Sequence, residues 1–164
     1  MVKFWLNRFP DWDLERRNKV SGGTALGNAV FMGPHRLELV KTLLEHGASL
    51  DFRPYFGGSI FSNVCECEDG DPELLNFLLK KKMKTNVNYG LRGSIIKWRI
   101  ILGLARFLTR NNLTKSGLMA ALAQRSGSTA LHHAVRRGDV DIVNILLENG
   151  ADLTQFWSGS KFEE

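Results

Sequence analysis

Residues Ser128 to Leu153 constrain the fold more than any other stretch, because they spell a small unit that cannot stand alone. Thr129 is placed to cap a helix, its hydroxyl satisfying backbone N–H groups that lack a partner in the first turn. Leu131, Ala134 and Val135 give that helix an apolar face, and Gly138-Asp139 breaks it. Asp139 is placed to cap the next helix, where Ile142, Val143, Ile145, Leu146 and Leu147 make a broad apolar stripe. Gly150 ends that helix as a left-handed cap. Two short helices with apolar faces on more than one side must stack on copies of themselves.

The copies are found by stepping back from Thr129 in intervals of 35 residues, which lands on Ser94, Ser59 and Thr24. Each is a small hydroxyl residue preceded within two positions by glycine: Gly127, Gly93, Gly58 and Gly23. The unit from Thr24 to Leu50 has Ala29 and Val30 on an inner helix, a Gly33-Pro34 stop, then Leu37, Leu39, Val40, Leu43 and Leu44 on an outer one closed by Gly47. The unit from Ser59 to about Lys82 keeps the spacing through Leu74, Leu75, Leu78 and Leu79 but has Lys82-Met83 where the glycine would fall. Asp71-Pro72 reads as the cap and first position of its outer helix.

Thr129-Ala130-Leu131-His132, then Gly138-Asp139, then Leu146-Leu147-Glu148-Asn149-Gly150-Ala151-Asp152, resembles an ankyrin repeat. Ala130 stands where that family usually has proline, a change that costs little at a first helical position. The resemblance implies an all-α solenoid of stacked helix-turn-helix repeats with short finger loops. It also implies that His132 holds the turn by hydrogen bonds. The expected plan is one domain over 1–164: a partial repeat at 2–20, repeats at 21–55 and 56–90, a divergent repeat at 91–125, a repeat at 126–153 and a tail at 154–164.

In the divergent unit, Ile95 to Arg110 reads as one lengthened, nearly buried helix, with Arg99, Arg106 and Arg110 on a narrow stripe. Leu113 to Arg125 follows as a second helix with Leu118, Met119 and Leu122 inward. The preserved period favours a degenerate repeat over a helical hairpin inserted between true repeats. At the N-terminus, Val2–Asn7 matches only an outer helix, and Phe9, Trp12 and Leu14 are expected to cover the open edge. At the other end Phe156, Trp157 and Phe162 would be exposed if left alone.

Charge is distributed unevenly. From Leu74 to Gly138 there is no Asp or Glu and there are 13 Lys and Arg, whereas the remaining residues hold 9 of the 22 cations and all 17 acids. A basic middle directs partner choice and association rate rather than fold. It fits an acidic protein surface first, with nucleic acid and anionic lipid as weaker readings.

Little else carries chemistry. His133 follows His132 facing solvent, His46 precedes the Gly47 stop where a cation suits a helix C-terminus, and His35 lies in a loop. No two histidines have metal-ligand spacing on one helix face. Cys65 and Cys67 point to different sides of a helix, one buried and one partly exposed, and are too few for a disulfide framework. Glu66, Glu68, Asp69, Asp71 and Glu73 cross a turn without calcium-loop spacing and read as solvated surface. No nucleophile–base pair, phosphate cradle or carboxylate pair emerges, so no enzyme, cofactor, metal or small-molecule substrate is expected.

No apolar run reaches 18 residues, and no secretory signal opens the chain, so an intracellular, cytoplasmic or nuclear location is expected. The function implied is non-catalytic binding of another protein. The alternatives are an accessory domain of a larger enzyme or complex, and a non-specific nucleic-acid surface. Oligomeric state is left open. The binding edge would comprise finger residues Arg16, Arg17, Lys19, Asp51, Arg53, Tyr55, Phe56, Tyr89, Leu91 and Arg92, joined by Arg136 and Arg137. Thr24, Gly47, Thr129, His132 and Gly150 are structural.

Overall fold

A computed structural model describes residues 2–31, 35–51, 53–67, 70–81 and 86–155. Among the described residues the chain is all-helical: α1 (Val2–Arg8), α2 (Ala25–Phe31), α3 (Arg36–Glu45), α4 (Ile60–Glu66), α5 (Pro72–Lys80), α6 (Ile96–Arg110), α7 (Gly117–Arg125), α8 (Ala130–Arg137) and α9 (Val140–Glu148). The expected Gly33-Pro34 stop, Lys82-Met83, Glu68, Asp69 and the tail aromatics Phe156, Trp157 and Phe162 lie outside the described residues.

The helices form two rows. The inner row runs α2, α4, α8 and the outer row runs α1, α3, α5, α9, each helix packed on its neighbours. Local chemistry sets the ends. Asp71 Oδ1 accepts from the Leu74 N–H at 2.9 Å with Pro72 behind it, Asp139 Oδ1 accepts from Ile142 at 3.1 Å, and Ser59 Oγ accepts from Ser62 at 3.1 Å. Gly47, Gly138 and Gly150 take positive φ at 91°, 73° and 82°, so each follows its helix in the left-handed conformation. Between the rows lies a continuous core of Leu26, Val30, Val40, Ile60, Val64, Leu74, Leu75, Leu78, Ile142 and Leu146, each fully buried. Burial of each such side chain is worth about 1.5–3 kcal/mol.

Helix α1 supplies an outer-row neighbour to α3, tied by His46 Nε2 to Asn7 Oδ1 at 2.9 Å and by buried Leu6. Trp5 packs on Phe9 and Trp12 with ring centroids 5.1 and 4.4 Å apart, yet all three remain well exposed, and only Leu14 reaches the core.

Four readings of the sequence need correction. The stacking order places α8 directly on α4 and α9 on α5, while α6 and α7 pack chiefly on each other. Residues 91–125 therefore do not sit between the units on either side of them. Consistent with that, α6 is not nearly buried: only Leu102 and Ala105 are, and Ile96, Ile100, Leu104 and Phe107 are exposed. Leu118 is also exposed, and Met119 and Leu122 are half-buried. Ser94 does not cap α6, because its hydroxyl donates to the Pro54 carbonyl at 2.8 Å.

His133 is the second correction, being buried while Val135 is exposed. Its ring is accommodated by Ser128, whose Oγ lies 3.0 Å from Nε2 and itself donates to the Arg125 carbonyl at 2.7 Å. Thirdly, both cysteines are buried. Cys67 Sγ donates to the Asn63 carbonyl at 3.0 Å, and burial pushes the Cys65 thiol up to about 12, with Asp139 adding to the shift. Fourthly, Glu66 is not solvated surface but pairs with Arg125 at the end of α7.

Candidate functional site

The finger loops form one edge, joined backbone to backbone. The Tyr55 N–H donates to the Ser21 carbonyl at 2.8 Å, and Ser94 donates to the Tyr55 carbonyl at 2.9 Å. Arg92 donates to Gly57 at 3.4 Å, Leu91 to Ser128 at 2.8 Å, and Gly127 to Leu91 at 2.9 Å. Gly57 is required here, since its φ is +86° and a Cβ would fall 1.4 Å from the Arg92 carbonyl oxygen.

The candidate side chains divide between this edge and its support. Arg16 and Arg17 are exposed before α2, and Arg17 Nη1 donates to the Arg53 carbonyl at 3.3 Å. The Arg53 guanidinium stacks 4.1 Å from the Tyr89 ring centroid, so the two fingers share one cation–aromatic pair. Tyr55 lies half-buried over Gly22. Phe56 is half-buried, edge-on to Trp98 at 6.4 Å with Arg125 at 6.0 Å. Tyr55 thus packs finger against finger, whereas Phe56 packs on the α6–α7 pair. Asp51 is exposed, Lys19 is exposed, and Leu91 is buried. Arg136 and Arg137 stand in the last turn of α8, the first exposed and the second half-buried.

The residues read as structural make the following contacts. Thr24 Oγ1 accepts from the Gly27 N–H at 3.3 Å. His132 Nδ1 accepts from the Thr129 N–H at 3.2 Å and meets Thr129 Oγ1 at 2.7 Å. Nδ1 therefore carries the lone pair and Nε2 the proton, which suits the backbone hydrogen bond to Gln155. Burial holds the His132 ring below the usual histidine range.

Arg92 joins a different set. Together with Arg99 and Arg106 of α6 it lines a groove of about 1050 Å³, whose other walls include Tyr89, Ile96 and Ile100. The three salt bridges among the described residues, Lys3–Glu45, Arg36–Asp71 and Arg125–Glu66, involve none of these arginines. The sequence had marked Arg99 and Arg106 as one stripe; that Arg92 would face them depends on where the hairpin folds back, which periodicity does not encode. Among the described residues no helix is long and apolar enough to cross a membrane, and no cluster of His, Cys, Asp and Glu has the makings of a metal site.

Comparison with known proteins gives two findings. The family model described as ankyrin repeats (3 copies) matches residues 62–156. The chain is 35% identical over 82 residues to ankyrin repeat and SAM domain-containing protein 6 of Rattus norvegicus, a match covering 50% of this chain and 9% of that relative's length.

Proposed function

The chain belongs to the ankyrin repeat family, whose repeats are in general protein–protein interaction modules, and from that premise we propose that it is a non-catalytic binding domain that grips an acidic surface or segment of a partner protein with its finger edge and basic middle. The supporting observation is the finger row itself. Its backbones are bonded into one continuous edge, and Arg17, Arg53 and Tyr89 are drawn together along it. Arginine and tyrosine on a rigid support are the residue types that concentrate binding energy in interfaces. The acid-free run from Leu74 to Gly138 gives that edge its sign and speeds encounter with an opposite charge.

The test is a quantitative cross-linking and capture experiment in native cells, comparing the unaltered chain with Arg53→Glu plus Arg92→Glu and with Lys41→Glu. Lys41 is exposed on the outer helix α3. Recovery of the partner should fall far more for the finger pair than for Lys41. Equal losses contradict the surface assignment. A rival, non-specific nucleic-acid binding, would show affinity falling log-linearly with salt for any oligonucleotide.

A further inference from the structure

Building on that protein-binding reading, we propose that the groove between α6 and the Tyr89–Gly93 finger is a peptide site, taking an extended acidic segment of a partner with carboxylates three residues apart and an apolar side chain between them.

The groove's chemistry selects this occupant. Arg92, Arg99 and Arg106 line it, with no acidic residue from Leu74 to Gly138 to neutralise them. Arg99 and Arg106 lie two turns apart on one face of α6, about 10 Å along the axis. Three residues of a chain in the extended polyproline-II conformation make one full turn and rise about 9 Å, so carboxylates at that interval lie on one side of the peptide and meet both guanidinium groups. Ile96 and Ile100, on the same face, are 75% and 63% exposed and offer contacts for an apolar side chain between the charges. A volume of about 1050 Å³ is at the upper end of ligand pockets and holds a short peptide, whereas a bilayer is flat and cannot enter a concavity.

Gly103 adds an independent mark. It falls at i+7 from Ile96 and i+4 from Arg99, in the middle of that face, and nothing lies within 4 Å of where its Cβ would be. Packing does not require a glycine there, and helix propensity disfavours it. Its absent side chain leaves the face open for another backbone to approach.

The test is fluorescence anisotropy of the full chain with a fluorescein-labelled peptide built on the repeat Asp-Leu-Gln. Arg99→Glu should weaken binding about tenfold or more, the loss expected for reversing one arm of a charge-assisted contact. Lys97→Glu removes the same charge from another side of α6, where Lys97 is exposed, and should cost about twofold or less, as screening predicts for a distant charge. Gly103→Leu leaves the charge unchanged but fills the face, and should also weaken binding about tenfold if a backbone lies there; circular dichroism establishes that each variant is folded.

Equal losses for Arg99→Glu and Lys97→Glu, or no effect of Gly103→Leu, overturn the site in favour of a diffuse field. Binding to phosphatidylserine-containing vesicles or oligothymidylate without binding to the peptide overturns it too. If the cellular partner depends on Arg53 but not on Arg99, the groove proposal fails and the finger-edge reading stands. If neither matters, both fail.

Discussion

The Leu91 N–H donates to the Ser128 carbonyl at 2.8 Å, and the Leu91 carbonyl accepts from Gly127 at 2.9 Å, so the chain leaves the stack and rejoins it at a single point. Everything between, the 15-residue α6 and the 9-residue α7, hangs from that neck. Two further ties hold its base: the edge-on Phe56–Trp98 contact and the Glu66–Arg125 ion pair.

It follows that the repeat stack does not depend on the hairpin for its core. Replacing residues 95–125 by a short Asn-Gly turn, which favours a tight reversal, should leave α4 and α8 packed as before. The expected result is cooperative thermal unfolding with retained hydrogen-exchange protection in α4, α5, α8 and α9, and a helical signal reduced by the excised helices. Loss of protection in α4 and α8 would show that the hairpin is integral to the stack.

This neck also explains how far the sequence could be read. The repeat units at Thr24, Ser59 and Thr129 announce themselves through caps, stops and apolar spacing, and they fold as those signals require. Gly57, Arg92 and Gly127 are separated by equal steps of 35, but the first step spans a helix pair in the rows and the second spans the hairpin. An excursion as long as one period cannot be separated from a repeat by counting. Its composition held the better clue, since Lys97, Arg99, Arg106 and Arg110 punctuate α6 too often for a buried helix. The finger site was legible only as residue types. That Tyr55 would pack on the neighbouring finger while Phe56 and Arg92 turned toward α6 depends on long-range geometry that short-range pattern does not specify.

Gly57 tests the finger row. Its φ of +86° strains any residue with a Cβ, and that Cβ would meet the Arg92 backbone, which no rotamer change relieves. Gly57→Ala should cost about 2 kcal/mol or more in urea unfolding. Gly47→Ala is the control, because Gly47 has a φ of +91° but nothing within 4 Å. It should cost only about 1 kcal/mol, the left-handed strain alone. Similar losses for the two would remove the close finger contact from the account.

His133 predicts an acid sensitivity. Burial, reinforced by Arg136, Arg125 and His132, lowers its pKa to about 4 from the ordinary 6.5. The unfolded chain therefore binds a proton that the folded chain refuses between those values. Stability is complete above about pH 6.5 and is lost as pH falls toward 4, by about 3 kcal/mol at most. His132, also held low by burial, acts in the same direction. Urea midpoints measured from pH 7 to pH 4.5 should fall for the unaltered chain and fall much less for His133→Gln. An unchanged slope in that variant would assign the effect elsewhere.

Gly103 separates stability from binding. A glycine inside a helix leaves the unfolded chain more freedom to lose than alanine does, and it forgoes about 1 kcal/mol of helix propensity. Such a cost is ordinarily offset by a close contact, as at Gly57, yet a Cβ on Gly103 would meet nothing within 4 Å. Gly103→Ala should therefore stabilise α6 by about 0.5–1 kcal/mol, seen as slower hydrogen exchange across Leu102 to Phe107. The methyl group enters the face that the proposed peptide backbone approaches, so peptide affinity should fall while stability rises, and by less than with leucine at the same position. Faster exchange in the alanine variant would mean that α6 already uses this space for its own packing, and the open face would no longer be available to a partner.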